Sequence, residues 1–551
     1  MKKISGLLLM GCSALALAGC GADDISSPGA GSVGPINIDN GSGTPAPTPT
    51  PGTGLVVAAS ECPGAAATGG LALTNDGTIS GPEGSWRVCT LPALVNVSAT
   101  LPKVAGVLYR LNGRVDVGCD GGFSAPTTAA PRTTTTAACS NRSLTADTNV
   151  TLTIEPGVIV YGDSTNAASW LAVNRGNKLI AEGTATRPII FTSLQNVRGS
   201  NNNDSMGQWG GVVLLGRGRT TDCSTGLGSV AADNCERVTE GAADPANFGG
   251  RDNTYNAGSL KYVQIRYSGY SLAPGNELQS LTGGGIGTGT QLDYIQSINS
   301  SDDGSEFFGG ALNMKHYVAI NADDDSLDLD TGVQANVQYA LIVQKPNAGD
   351  SFFEFDSNGN EADTPRTTIT IGNFTAVQTA VGTGNSGNQA SALFRGNADV
   401  TLVNGVINTP TNECLRLNGS GPAGSTPASL RARSVVMTCG GTKPVLGTGT
   451  YTDDTAAAAF GTSANNNNSS FTSTLTNTFV NGAGETAVAA FTNYASLNAS
   501  GQTNVSSFFT STSYIGAVSN AATDVWYRGW TCDTTNASLG SNSACTALPT
   551  T

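Results

Sequence analysis

Apolar residues fall in short runs separated by Gly, Asn, Asp, Ser and Thr. Few windows carry the i, i+3, i+4, i+7 stripe of an amphipathic helix, which argues against a helical protein. The runs at 150–154, 178–183, 187–192, 211–215, 260–266, 400–403 and 433–437 read as short strands with tight corners between them. The strongest feature is repetition. YIQSINSSDDGSEF at 294–307 aligns with HYVAINADDDSLDL at 316–329, an offset of 22. Ile298 then meets Ile320, Asn299 meets Asn321, Glu306 meets Asp328 and Phe307 meets Leu329. One turn later FEFD at 353–356 places Glu354 26 residues after Asp328.

A period near 22 with short strands predicts an all-β fold, a right-handed parallel β-helix (solenoid) with N- and C-terminal caps. Each coil supplies about three strands, and at about 23 residues per coil residues 148–450 hold some 13 coils. Inward residues stack about 4.8 Å apart. Phe307, Leu329 and Phe355 are expected to form an inward apolar column, and Asn299 and Asn321 an inward amide ladder. Residues 55–147, with a small sheet at 107–115, are expected as the N-terminal cap. Residues 451–551 are expected as the C-terminal cap, with short helices at 487–491 and 506–509.

The first 19 residues read as a secretory signal: Lys2 and Lys3 precede an apolar stretch at 6–17 that is too short to span a bilayer. LAGC at 17–20 resembles a bacterial lipobox. The resemblance implies cleavage before Cys20, lipidation of that thiol by acyl chains such as palmitate, and, with Gly21 next, export to the outer membrane. Residues 20–54, rich in Pro, Gly and Thr, form a spacer. The expected location is the outer membrane, lipid-anchored and facing the cell surface.

Cysteine use agrees with export. Of twelve cysteines, Cys12 leaves with the signal and Cys20 carries lipid. The other ten fall into neighbouring pairs: Cys62–Cys89, Cys119–Cys139, Cys223–Cys235, Cys414–Cys439 and Cys532–Cys545. No CxxC is present, so a metal knuckle is not expected.

Charge then locates the candidate chemistry. The chain carries −14, with thirteen acids at 300–363 against Lys315 and Lys345. Nucleic acid is not expected as a partner; cations or basic partners are. If Phe307, Leu329 and Phe355 face inward, Glu306, Asp328 and Glu354 face outward, with Asp330 and Asp356 two residues further along. Asp302, Asp303, Asp324 and Asp325 stack at the preceding turn. These nine carboxylates are the candidate metal ligands, and calcium, which prefers oxygen donors, is the expected cation. The plainer alternative is a solvated turn surface. Arg395 and Arg416 continue the column with positive charge. His316 is the only histidine, which excludes His-rich zinc sites; it is expected at a coil corner. Gly283–Gly285 and Gly309–Gly310 are expected as corners, and Trp170, Trp209, Trp526 and Trp530 as packing or capping residues.

Several stretches resemble a family of bacterial surface lipoproteins with a pectin-lyase-like β-helix: LTIEPG at 152–157, LIAEGTATRPIIFT at 179–192, WGGVV at 209–213, SDDGSEFFGG at 301–310, and YIGAV at 514–518 with GWT at 529–531. The resemblance covers most of 145–531 and implies a fold and a location rather than an activity. The expected function is non-catalytic binding or adhesion, to glycan, protein or cations, through the acidic face. The first alternative is a calcium-dependent lyase of uronate-containing glycans, with Arg395, Arg416 or Lys345 as base. Hydrolysis is disfavoured, because the coil after Asp302 and Asp303 carries Ser326 and Leu327 where the similar hydrolases need a histidine. The second alternative is an accessory lipoprotein of an outer-membrane receptor.

Overall fold

The computed structural model describes residues 54–241, 244, 246–273, 276–346, 349–357, 359, 361–378, 392–410, 412–419, 421, 425–441, 443–500, 505–541 and 543–550. The signal, Cys20 and all but the last residue of the spacer lie outside the described residues.

Two sheets, of 15 and 11 strands, wind around one apolar core. The larger sheet is two faces joined. In the early coils Ala99–Leu101, Thr151–Ile154 and Lys178–Glu182 form one row. Val107–Asn112, Ile159–Asp163 and Ile189–Ser193 form the other. Gly258–Arg266 pairs with the first row through its first half and with the second row through its second half. From there each strand crosses both faces and is kinked in the middle. The kink residues Tyr262, Tyr294, His316, Tyr339, Asn373, Asn404 and Ser434 all have φ between 50° and 64°. With the smaller sheet, each coil supplies three strand segments, and the fold is the expected right-handed parallel β-helix.

Left-handed backbone costs a non-glycine residue about 1–2 kcal/mol, and stacking offsets that cost. Tyr262, Tyr294, His316 and Tyr339 form a column of rings with successive centroids 4.3, 4.1 and 4.8 Å apart. Further along, the Asn373 and Asn404 amides donate to the Tyr514 and Phe491 carbonyls, each at 3.0 Å.

The predicted registers hold. Phe307 pairs with Leu329, Leu329 with Phe355, Phe355 with Phe394 and Phe394 with Leu417, all buried. The Asn321 amide donates to Asn299 Oδ1 at 3.1 Å, completing the amide ladder. The ladder sits at left-handed corners rather than inside the core, because its outer partners are the Asn203 and Ser205 carbonyls and the Asn536 amide. All five neighbouring cysteine pairs form disulfides.

Three expectations are corrected. Winding begins near Gly84, not residue 148, because Gly84–Thr90, Leu94–Val95, Val107–Asn112 and Arg114–Val117 already pair in parallel within the two sheets. The antiparallel strand Thr74–Gly81 closes that end. Second, the smaller sheet needs only 11 strands to reach Val445–Thr448, fewer coils than an even period gives, because residues 216–257 are an insertion. Third, the C-terminal region only partly caps. Helix Asp453–Phe460, capped by Thr452, places Ala456 and Phe460 in the core. Residues 487–491 are not helical; the short helices are Ala483–Thr486 and Val505–Phe508. The remainder runs back as a strap over the larger sheet, where Val518, Trp530 and Leu539 cover Val318, Ile320, Leu341 and Val343. Buried Arg266 donates to the Cys545 and Ala547 carbonyls at 2.7 and 2.8 Å. Among the described residues no helix is long and apolar enough to cross a membrane.

Phe355 is fully buried and stacks on Phe394 at 5.2 Å, with rings 5° from parallel. Phe355→Ala is expected to lower the unfolding free energy by about 3–5 kcal/mol, since the rigid column cannot collapse into the void. Urea titration checks this; a loss below about 1 kcal/mol would refute the role given to the column.

Candidate functional site

The acidic column forms on the outer side of the smaller sheet. Strand Ser305–Phe308 places Glu306 beside Asp328 of Asp328–Asp330, and Asp328 pairs with Glu354 of Phe353–Phe355. Alternation turns Phe307, Leu329 and Phe355 inward and these acids outward. Asp302, Asp303, Asp324 and Asp325 stack at the preceding turn. Asp303 Oδ1 accepts the Asp325 backbone N–H at 2.9 Å, and Asp325 Oδ1 accepts that of Ser351 at 2.7 Å. These aspartates therefore tie one coil to the next. The structure brings all nine predicted carboxylates into one column.

Outward does not mean solvated. Glu306 is 0% exposed, Asp303 and Asp328 1%, and Asp356, among the more open, 6%. The solvated-surface alternative is overturned by the insertion at 216–257, which folds over the sheet as a flap. Phe248 of the flap packs with Trp170, Val213, Leu215 and Phe308. Gly284 makes the docking possible, since a Cβ there would strike the Phe248 ring, while Gly283 makes room on the core side for the Phe307 ring. They lie in strand Leu281–Gly284; of the three glycines only Gly285, with φ 56°, turns a corner. Gly309 and Gly310 turn as expected.

The flap also brings charges that the repeat did not reveal. Arg237 Nη1 lies 2.6 Å from Asp222 Oδ2, and its guanidinium sits 4.6 Å from the centre of the Phe308 ring. Glu240 of the flap lies in electrostatic reach of Asp302, as does Glu277 of the later strand Asn276–Glu277. The only signal in the chain was the break in coil rhythm between 215 and 258, closed by its own disulfide Cys223–Cys235.

Burial dominates the electrostatics. It pushes Glu306 well above the usual carboxylate range, helped by the charges of Glu240, Asp328 and Asp302. Burial does the same to Asp302, Asp303, Asp324 and Asp325, reinforced in each case by neighbouring acids. Asp330 is pushed to about 8 by burial and Asp356, although Arg237 and Arg395 pull it down. Glu240 rises to about 7, chiefly through burial. Glu354 is raised by burial against the pull of Arg395.

Hydrogen bonding leaves part of this group unsatisfied. The Gln279 amide donates to Asp302 Oδ2 at 3.1 Å. Both carboxylate oxygens of Glu306, Asp303 Oδ2 and Asp324 Oδ2 are buried without a hydrogen-bond partner. Two triads, Asp302–Asp303–Asp324 and Asp303–Glu306–Asp328, each hold one oxygen per residue within 4.8 Å of the others.

The candidate bases are engaged elsewhere. Arg395 pairs with Glu354 and lies 2.9 Å from Asp356. Arg416 pairs in register with Leu393, which pairs with Glu354, so it continues the row one coil beyond a leucine, and it forms its ion pair with Glu413. Lys345 Nζ is 3.7 Å from Asp204. His316 is at a corner on the other sheet, its Nδ1 2.7 Å from Asp293. Trp209 and Trp530 are fully buried and Trp170 nearly so. Trp526 is half-buried beside His316, centroids 5.1 Å apart.

The shifts fix a sign. A carboxyl whose folded pKa exceeds its unfolded value holds more protons folded than unfolded between the two, so stability falls as pH rises through that window. The window opens near the ordinary carboxylate value of about 4 and extends to about 8, the value for Asp330. In chelator, the melting temperature is expected to fall from about pH 5 to about pH 8. Glu306→Gln should flatten that slope and raise the melting temperature at the upper end. A melting temperature that rises with pH across the window would contradict the buried geometry.

The architecture can be set against known proteins. A comparison with curated proteins finds no match. Among solved structures, an alginate lyase from Paenibacillus sp. str. FPU-7 is 12% identical, with a TM-score of 0.22, over 55% of this chain and 85% of that one. A pectate lyase from Paenibacillus sp. 0602 is 9% identical, with a TM-score of 0.18, over 63% of this chain and 79% of that one. The family model described as a pectate-lyase like beta helix domain matches residues 139–487, more than half of the chain and the region that contains the whole acidic column, so this protein belongs to that family.

Proposed function

We propose that this chain is an outer-membrane lipoprotein, tethered at the cell surface through Cys20, whose β-helix is a calcium-loaded, non-catalytic scaffold for binding glycan or protein. The observation that carries the cation reading is Glu306, fully buried among acids with neither oxygen hydrogen-bonded. An unpaired carboxylate in that setting must be protonated or meet a cation. The donor set fits a hard ion. It offers only oxygens; among the described residues every cysteine is in a disulfide, and the one histidine lies on another face. The two triads around Asp303 would hold the ion, with Asp302, Asp324, Glu306 and Asp328 as ligands.

Burial favours a structural ion over a catalytic one. A lyase must expose its metal to a substrate carboxylate and keep a base ready beside it. Here the acids lie under the flap, and Arg395, Arg416 and Lys345 are all held by acids. The anchor rests on the signal-like residues 1–19 and the LAGC sequence ending at Cys20.

A calcium titration of the full chain, read as melting temperature against a chelator control, tests this reading. At 100 times the dissociation constant the expected stabilisation is about 2.7 kcal/mol. The gain should vanish in the double variant Asp302→Asn/Asp324→Asn. Incubation with uronate-containing glycans should release no unsaturated ends. Calcium-dependent release would replace the scaffold reading with a lyase, and no thermal shift would remove the cation.

A further inference from the structure

The acidic column is not electrostatically uniform. Its Asp330–Asp356 side is bracketed by arginines. Arg395 closes the C-terminal end, on Glu354 and Asp356. Arg237 closes the N-terminal end from the flap. Its guanidinium rests on the Phe308 ring at 4.6 Å, and Phe308 is the residue that pairs with Asp330 one coil later. Where the repeat has an acid at 330 and again at 356, the preceding coil has an aromatic ring with an arginine seated on it. The other side has no such partner. Among the described residues, none of Asp302, Asp303, Glu306, Asp324 and Asp325 reaches a lysine or arginine at ion-pair distance.

We propose that Arg237 is the specificity-determining residue of the column: a built-in counter-cation that occupies one cation position and confines divalent ions to the triads around Asp303. The inference rests on the cation reading above and adds to it which part of the column the ion takes and what limits the number bound. Arg237 is suited to the task. Its side chain is 12% exposed and its charge is permanent. Asp222 anchors it at 2.6 Å, and the strand that carries it, Arg237–Val238, pairs with Asn247–Phe248 of the same flap. The Cys223–Cys235 disulfide closes the loop two residues before it. Asp330 and Glu306 both lie in its field. A fixed positive charge there repels a divalent ion at Asp330 and disfavours one at Glu306, which leaves Asp302, Asp303 and Asp324 as the preferred triad for a single ion.

The test is isothermal titration of calcium chloride into the full chain and three variants. Arg237→Met keeps the packing on Phe308 and removes the charge. It should bind at least one more calcium equivalent than the parent, or bind calcium about tenfold more tightly or better. Arg237→Lys keeps the charge and should behave as the parent. Asp222→Asn frees Arg237 from its anchor and should weaken calcium binding, the opposite direction, so the proposal stands or falls even if Arg237→Met does not fold. Unchanged stoichiometry and affinity in a folded Arg237→Met, or unchanged affinity in Asp222→Asn, would overturn the proposal. A parent chain that binds no calcium overturns the cation reading itself, and this inference with it. Calcium bound by the parent with all variants alike overturns only the inference.

Discussion

Parallel stacking at one strand spacing per coil is the constraint on which the rest of this molecule depends. Every side chain has, about 4.8 Å above and below it, whatever the same position carries in the neighbouring coils. For apolar residues this builds the core without further provision: Phe307, Leu329, Phe355, Phe394 and Leu417 form one buried column. For amides it provides donor and acceptor at once, as in Asn299 and Asn321. For rings it gives a face-to-face stack that holds Tyr262, Tyr294, His316 and Tyr339 in backbone conformations they would otherwise avoid. For acids the same rule is a penalty, because like charges cannot be moved apart without breaking the register.

The acidic column shows three local answers to that penalty. Asp303 and Asp325 turn part of their charge towards backbone N–H groups of the next coil. Glu354 and Asp356 receive Arg395. Arg237 arrives from outside the repeat, on the flap. The flap works in both directions, since its burial of the sheet raises the cost of every charge beneath it while its arginine offsets part of that cost. Glu306 lies in the field of Arg237, but neither of its oxygens has a hydrogen-bond partner.

What was readable in the chain follows from the same geometry. Register is a local property of the repeat, so the pairings of Ile298 with Ile320 and Glu306 with Asp328 could be read from an offset of 22. The neighbouring disulfides close short loops and were equally accessible. Whatever lies outside the repeat was not. The coils at 84–117 are separated from the regular ones by long excursions, so their strands looked like a separate cap. The strap is held by contacts across hundreds of residues, such as Arg266 to Cys545, a separation of 279. Nothing in the periodicity shows that residues 216–257 lie on the smaller sheet. Alternation correctly turned the acids away from the core; it could not tell whether water or protein lay on the other side.

That difference decides how the site should be understood. The same nine carboxylates on an open face would be screened by water, and a bound cation would be weak and incidental. Beneath a flap they share a medium in which each charge is costly and any partner correspondingly valuable. An ion held there would act on the scaffold first, because Asp302, Asp303, Asp324, Glu306 and Asp328, the residues that would hold it, belong to successive coils whose acids repel one another. The fold therefore gives the acids a reason to exist that requires no substrate. With the proposed cation bound, a column that is unstable unless neutralised would keep the helix rigid, and it would loosen where that cation is scarce or the pH is high.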